Sequence, residues 1–373
     1  MHSFYRSGVP SGENTVVMSQ AEGLADRGHD VLLIRRDTSH ELDDRTYRAR
    51  AAIRVLTGFG PSPMSELTRF GPDVVHVHNL VPGFGSSWLA DVPVPIVATV
   101  HNFRPICANA LLFRAGHLCT ECPDGSPWAA VRHGCYQDSH VASIPLAARN
   151  ARGLGRDALL SRARAIICLS STARTMLARY GLDLSKTHVI PNGVEVAASL
   201  SVNEHISPRW LAAGRLSPEK GMLELARHWP PGEPLEILGS GPEADAIRAL
   251  GRVDVELKPS IFRDEFLTAL PAYQGLVLPS PCIDSQPTVV SEALASGLPV
   301  LARAGNSVAD LVEETGCGVV YESADALGLA RNAVSSDRLR YSQVARSVYL
   351  ERFTLDAWLQ SLESLYSSTL GAS

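Results

Sequence analysis

Residues 280–300 read Ser280-Pro281-Cys282-Ile283-Asp284-Ser285-Gln286-Pro287-Thr288-Val289-Val290-Ser291-Glu292-Ala293-Leu294-Ala295-Ser296-Gly297-Leu298-Pro299-Val300. The apolar run from Gly275 to Leu278 enters this stretch as a strand. A polar loop carrying Asp284 follows, Pro287 permits a helix to begin, and Gly297 ends it before the next apolar strand at Val300. Two carboxylates, Asp284 and Glu292, thus flank one helix N-terminus. The first-turn N–H groups and the helix dipole suit a phosphate, and the carboxylates suit hydroxyls beside it. A ligand with both groups is a sugar nucleotide.

Working outward, the same alternation fills the second half of the chain. It begins at Trp210-Leu211-Ala212-Ala213-Gly214 and continues through strands Leu235 to Leu238, Val255 to Leu257, Gly275 to Leu278, Val300 to Ala302 and Val319 to Tyr321. The first half alternates likewise. A Gly-rich turn, Gly8 to Gly12, leads into a helix from Glu13 to Arg27. Strands follow at Val31 to Ile34, Val74 to His78 and Ile96 to Val100, the last ending in His101. Beyond a long loop, Ala148 to Arg164 reads as a helix, Ala165 to Leu169 as a strand, Thr172 to Tyr180 as a helix and Thr187 to Ile190 as a strand. Continuous apolar strands alternating with helices mean parallel sheets covered on both faces.

The expected organisation is therefore α/β, with two Rossmann-like doubly wound domains. The first spans residues 1–200, with a loop at 102–136, and is joined by a C-terminal helix at 355–370. The second spans 205–352, after Pro191-Asn192-Gly193 and the polar run Ser201 to Pro208. The helix presents Leu355, Trp358, Leu359, Leu362, Leu365 and Tyr366 at helical spacing, so it has a face to bury. One tension stands: a Rossmann-like sheet needs a central strand before its Gly-rich turn, yet only a few residues precede Gly8. The first strand is expected to be truncated, with the native start upstream.

The composition is that of an ordinary globular protein: 45% hydrophobic, 20% charged and a formal net charge of -5. That balance supplies no general attraction to nucleic acid. No window is apolar enough for a membrane span and the first residues are not a signal peptide, so a cytoplasmic location is expected. Only three of the 34 basic residues are lysines, Lys186, Lys220 and Lys258. A lysine kept at a phosphate site therefore stands out.

Gly214-Arg215-Leu216-Ser217-Pro218-Glu219-Lys220-Gly221 follows the first strand of the second domain, and Gly239-Ser240-Gly241-Pro242-Glu243 follows the next. Arg215 as a fork and Lys220 as a compact charge could clamp a pyrophosphate at the strands' carboxyl ends. Glycines at such turns also occur for conformational reasons alone. These strings, with Pro191-Asn192-Gly193-Val194 and Glu-Ala-Leu-Ala-Ser-Gly-Leu-Pro-Val at 292–300, closely resemble the retaining glycosyltransferases of family 4, which have the GT-B fold. The motifs occur in the expected order over nearly the whole chain.

The resemblance implies a UDP- or GDP-sugar donor held mainly by the second domain. It implies a glycan, glycolipid or small-molecule acceptor on the side of the first, and chemistry that needs no metal; no Asp-x-Asp motif is present. It assigns Arg215 and Lys220 to the donor diphosphate and Glu292 to the ribose hydroxyls. The backbone amides of Thr288 and Val289, after Pro287, fall to sugar or phosphate. Gly8, Gly12, Gly214, Gly239 and Gly241 correspond to turns near the donor, and His101 to a histidine near the donor sugar and the attacking hydroxyl. Asp284 stands where the family has glutamate, one methylene longer, which bears on sugar preference.

Cys107, Cys119, Cys122 and Cys135 sit in the 102–136 loop, with a central Cys-Thr-Glu-Cys. Their make-up is that of a structural zinc site, with His117 and His133 as substitute ligands; free thiols or a redox pair are the other readings. Arg149, Arg152, Arg156, Arg162 and Arg164, in one expected helical region, form a solvated basic face or a peripheral contact with anionic lipid at the inner membrane face. Two rival functions share the motifs: a nucleotide-sugar-binding subunit without turnover, and a GT-B sugar-nucleotide epimerase, for which the sequence offers no acid/base set.

Overall fold

The computed structural model describes residues 1–4, 12–37, 45–196 and 207–371. The chain divides into two compact units: Met1–Leu112 with Cys119–Pro191 and Trp358–Ser373, and Phe113–Leu118 with Asn192–Ala357. The division expected between residues 200 and 205 falls within 197–206, outside the described residues. No described helix is long and apolar enough to cross a membrane.

In the first unit, β1 (His2–Phe4) runs parallel to β2 (Arg35–Asp37), with His2 opposite Arg35. On its other side β1 meets the end of β3 (Val75–Val77): Ser3 N–H donates to the Asn79 carbonyl at 2.8 Å and His78 N–H to that of Met1 at 3.0 Å. From β3 the parallel sheet continues through β4 (Ile96–Val100), β5 (Ala165–Cys168) and β6 (Thr187–Val189). The first strand, expected to be truncated, is three residues long and buried, and forms a two-stranded parallel sheet with β2. Two expectations shift. The second strand lies at Arg35–Asp37 rather than Val31 to Ile34, because β1 runs beside those residues; of the earlier run, the Ile34 carbonyl accepts from His2 N–H at 3.1 Å. The helix expected over Ala148 to Arg164 is three pieces, His140–Asn150, a 3₁₀ turn at Leu154–Arg156 and Ala158–Arg162. Gly153, at φ 76°, breaks it, and the Asp157 carboxylate caps a new helix by accepting from Leu159 and Leu160 N–H.

The final helix, Leu355–Gly371, buries Trp358, Leu359, Leu362 and Leu365. Within the first unit it lies against Gly12–Asp26, where Gly23 permits the approach: a Cβ there would stand 2.6 Å from Leu359 Cδ1.

The second unit is one six-stranded parallel sheet in the order β9-β8-β7-β10-β11-β12. Its strands are β7 (Trp210–Ala213), β8 (Leu235–Leu238), β9 (Val255–Lys258), β10 (Leu276–Leu278), β11 (Val300–Arg303) and β12 (Gly318–Tyr321). Alternate residues feed opposite cores: Leu276 and Leu278 join Leu211 and Val300 on one face, while Val277 joins Trp210, Ile237 and Leu301 on the other. The helix Thr288–Ala295 carries the first of these cores, with every residue from Val290 to Ala295 buried. A helix apolar on nearly all sides belongs in an interior, and this one packs against β11 and the helix Arg338–Arg352.

Candidate active site

In the second unit the strand order reverses between β7 and β10. Loops leaving their carboxyl ends diverge there, the place where open α/β sheets take ligands. After β7 the chain turns at Gly214 and runs to a 3₁₀ turn at Pro218–Lys220, ending in left-handed Gly221 (φ 69°). A Cβ on Gly221 would stand 2.5 Å from the carbonyl of Pro279, just beyond β10. Glycine thus brings the two loops together. Gly239 and Gly241 do the same one strand over: side chains there would overlap the carbonyls of Gly214 and Leu216. Leu216 N–H donates to the Ser240 carbonyl at 2.9 Å and Glu243 N–H to that of Leu216 at 3.0 Å. The two Gly-rich turns are packed backbone to backbone, a sufficient physical reason for both glycines.

This packing aims the charges. Lys220 Nζ donates to Asp284 Oδ1 and Oδ2, each at 2.8 Å, with both side chains largely buried. Arg215 reaches back to Glu219 at 2.8 Å and remains exposed, while Ser217 Oγ donates to the same Glu219 carboxylate at 2.7 Å. Asp284 is fixed through its main chain, because its carbonyl accepts from Ser307 Oγ. The helix Thr288–Ala295 starts after Pro287 with no side-chain cap, so its first amides face the loop of Asp284. One turn in, Glu292 is buried and accepts from Arg263 Nε at 2.9 Å. Burial pushes its carboxyl up and Arg263 draws it back.

Three supporting residues have no sequence motif. Gln286 clamps the backbone of Asn192: its Oε1 accepts from Asn192 N–H at 2.6 Å and its Nε2 donates to the Asn192 carbonyl at 3.0 Å. Arg263 holds Glu292 from a separate helix. Asn306, buried, donates from Nδ2 to the Ser280 carbonyl at 3.0 Å and caps Ser307–Thr315. An Asn-Ser pair ahead of an apolar helix could have signalled that cap. The side-chain-to-backbone clamp between positions 94 residues apart could not be read.

The first unit gathers histidines. His101, just past β4, accepts or donates through Nε2 to His78 Nδ1 at 2.9 Å, with the rings stacked 5.2 Å apart. His78 stacks on His76 at 4.4 Å. His76 in turn contacts Thr99 Oγ1 at 2.7 Å and Tyr366 Oη, on the final helix, at 2.6 Å. Burial holds all of them neutral: it pushes His101 down to about 3 and His2 to about 4, and His76 and His78 lie well below the usual imidazole range. In such a neutral pair the two tautomers are coupled: one ring donates and the other accepts. His101 Nδ1 has no partner among the described residues. Gly12 begins the helix Gly12–Asp26, exposed, and Gly8 lies outside the described residues.

Cys107, Cys119, Cys122 and Cys135, the cysteines of the expected zinc site, form no disulfides. The Cys107 thiol donates to Asn109 Oδ1 at 2.9 Å, and Cys122 faces the Pro127 carbonyl at 3.9 Å. His133 contacts Glu121 at 3.0 Å and His117 the Ala115 carbonyl at 3.0 Å. Burial first, and then neighbouring Cys107, Cys135 and Cys119, push the Cys122 thiol up to about 11. Among the described residues no three His, Cys, Asp or Glu side chains form a group that could hold a metal ion. Of the basic residues, Arg149 pairs with Asp157 at 2.6 Å and Arg152 donates to the Leu56 carbonyl at 2.6 Å, while Arg152, Arg156, Arg162 and Arg164 are exposed.

Comparison with known proteins adds to this geometry. The profile of Glycosyltransferase Family 4 matches residues 10–198, and that of Glycosyl transferases group 1 matches residues 207–335. The sulfoquinovosyl transferase SQD2 of Arabidopsis thaliana is 25% identical over 78% of this chain and 56% of its own length. The phosphatidyl-myo-inositol mannosyltransferase of Mycolicibacterium smegmatis is 25% identical over 99% of this chain and 93% of its own. The chain thus spans little more than half of the plant relative. Among solved structures, sucrose-phosphate synthase from Thermosynechococcus elongatus superposes with a TM-score of 0.68 at 16% identity, covering 100% of this chain and 96% of the other. Anabaena HepE in complex with UDP-glucose gives 0.59 at 17%, covering 98% and 99%. The fold is that of the GT-B glycosyltransferases, built from two Rossmann-like units.

Proposed function

We propose that this chain, which belongs to glycosyltransferase family 4, is a retaining glycosyltransferase that moves a sugar from a UDP- or GDP-sugar to a hydroxyl of a glycan, glycolipid or small-molecule acceptor. The observation that carries the reading is the convergence, at one switch point, of Lys220 with Asp284, exposed Arg215, an uncapped helix start at Thr288 and buried Glu292. Cations and amides suit a diphosphate; a buried carboxylate one helical turn away suits ribose hydroxyls.

In this reading the bond from the sugar's anomeric carbon to the donor phosphate breaks, and charge develops on the departing diphosphate. Arg215 and Lys220 stabilise that charge, the largest catalytic contribution expected of the protein. The acceptor oxygen bonds to the same face of the anomeric carbon, and its proton passes to the departing phosphate oxygen. The family resemblance assigns His101 to the acceptor chemistry; within the first unit its ring is held by the bond from Nε2 to His78.

The test is turnover of UDP- and GDP-sugars, read as nucleotide release with and without acceptor fractions. Lys220→Ala and Glu292→Gln should each lower kcat/KM by roughly 10²-fold or more, as loss of a charged contact at a developing charge does. Wild-type turnover in both variants would refute the site. Nucleotide binding without any release would favour a non-catalytic subunit.

A further inference from the structure

We propose that the cavity beside His101 in the first unit binds an anionic group of the acceptor, a carboxylate or a phosphate, through Arg54 and Arg104. This rests on the transferase reading, in which the first unit is the acceptor side. The cavity, of about 90 Å³, opens at the carboxyl ends of β3 and β4, and its charged and imidazole lining is Glu13, Arg54, His78, His101, Arg104, Arg149 and Asp157.

The charges in this lining are not equivalent. Asp157 and Arg149 neutralise one another at 2.6 Å, and the Asp157 carboxylate also caps the helix Ala158–Arg162. Glu13 lies 3.8 Å from His2, whose ring burial holds neutral, so Arg54, Arg104 and Arg149 against Asp157 and Glu13 leave the lining net positive. Arg54 and Arg104 have no carboxylate partner among the described residues. Each guanidinium makes one hydrogen bond, at 3.3 Å, to a backbone carbonyl, that of Pro82 for Arg54 and that of Ala108 for Arg104. Most of their ten N–H donors, five on each fork, are left for a ligand.

Both forks are also held in place before anything binds. Arg54 lies over the ring of buried Tyr47 at 5.6 Å, and its stem packs on Gly60, where a Cβ would stand 2.7 Å from Arg54 Cγ. Arg104 lies over Tyr136 at 5.7 Å; its N–H donates to Asn102 Oδ1 at 3.1 Å and its carbonyl accepts from Asn150 Nδ2 at 3.1 Å. Two preset guanidiniums facing one small cavity, beside neutral imidazoles, suit a planar carboxylate or a phosphate better than a neutral hydroxyl, because charge-assisted bidentate bonds are the stronger ones. The acceptor hydroxyl that reacts is then placed near His101 by an anion elsewhere on the same molecule.

The experiment uses the whole chain with saturating UDP, so that the donor site is filled, and titrates inorganic phosphate, glucose 6-phosphate and glucose by calorimetry. Wild type should bind both phosphates and not glucose. Arg54→Gln and Arg104→Gln should each weaken phosphate binding roughly 10-fold or more, as loss of charge-assisted hydrogen bonds does, with the UDP Kd unchanged. A second arm floats vesicles with and without phosphatidylglycerol: flotation lost in Arg54→Gln/Arg104→Gln and displaced by phosphate assigns the anion to a lipid headgroup, and binding on the first arm alone assigns it to a soluble acceptor. A third uses unmodified protein: phosphate should protect Arg54 and Arg104 from phenylglyoxal, mapped by mass spectrometry. Undiminished phosphate binding in the double variant, no phosphate binding by wild type on either arm, or unprotected arginines would overturn the proposal. UDP binding in the same titrations reports on the transferase reading separately, so the two can fail independently.

Discussion

Asp284 holds the ammonium that the proposed reaction assigns to the donor diphosphate. Its two oxygens lie 2.8 Å from Lys220 Nζ, so a diphosphate must share or displace this carboxylate before Lys220 can serve it. Asp284→Asn should therefore tighten UDP binding by about 3-fold, within the worth of a partly exposed pair, while lowering turnover because the lysine is no longer aimed. Tighter UDP with full turnover would show that Asp284 only opposes the donor. His78 has a comparable role in the first unit. Asparagine places an amide atom where imidazole has Nδ1, so His78→Asn should keep the bond to His101 Nε2 and most of kcat. The isosteric His78→Leu should lose roughly 10-fold or more in kcat with the donor KM unchanged. Equal kcat and equal Tm for the two variants would remove His78 from the mechanism. Arg215, Lys220 and Glu292 were readable because each sits at a fixed offset from a turn or helix start. His78 and Gln286 were not, since their partners are far along the chain.

Glycine contacts set the shape of the loops on which these residues stand. Gly239→Ala would drive a methyl group into the Gly214 carbonyl, and both flanking strands are paired, so neither turn can yield cheaply. The expected cost is about 1 to 3 kcal/mol, read as a fall in denaturation midpoint and accompanied by weaker UDP binding, because Arg215 is carried on the displaced turn. Unchanged stability would mean that the turns separate freely. The sequence offered the glycines as phosphate-turn residues; the structure gives them a second reason, close approach of two backbones. Element positions in the second unit were legible because its strands are continuous apolar runs. The helix over Ala148 to Arg164 was not, since its apolar spacing concealed a left-handed Gly153 and the cap at Asp157.

Across the whole molecule, the buried histidines tie stability to pH. His76, His78 and His101 stay neutral when folded because burial opposes their charge, with His101 held down to about 3. The unfolded chain takes up a proton on each as pH falls through about 6.5. Their folded pKa values lie below the unfolded one, so the folded state loses stability below about pH 6.5, by up to ~1.4 kcal/mol per pH unit for each group, until the folded pKa is reached. Calorimetric Tm should therefore drop steeply between about pH 7 and about pH 5, and His76→Gln should flatten the slope. A pH-independent Tm over that range would contradict neutral burial. What the sequence by itself determined was the two alternating α/β series and the switch-point motifs, because strand and helix periods and turn glycines are local properties of the chain. Only the tertiary structure decided that β1 pairs with β2 and meets the end of β3, that Asp284 answers Lys220, and that Arg54 and Arg104 face one cavity. Each of these depends on which distant segments pack together, and residues 280–300 carry no record of that.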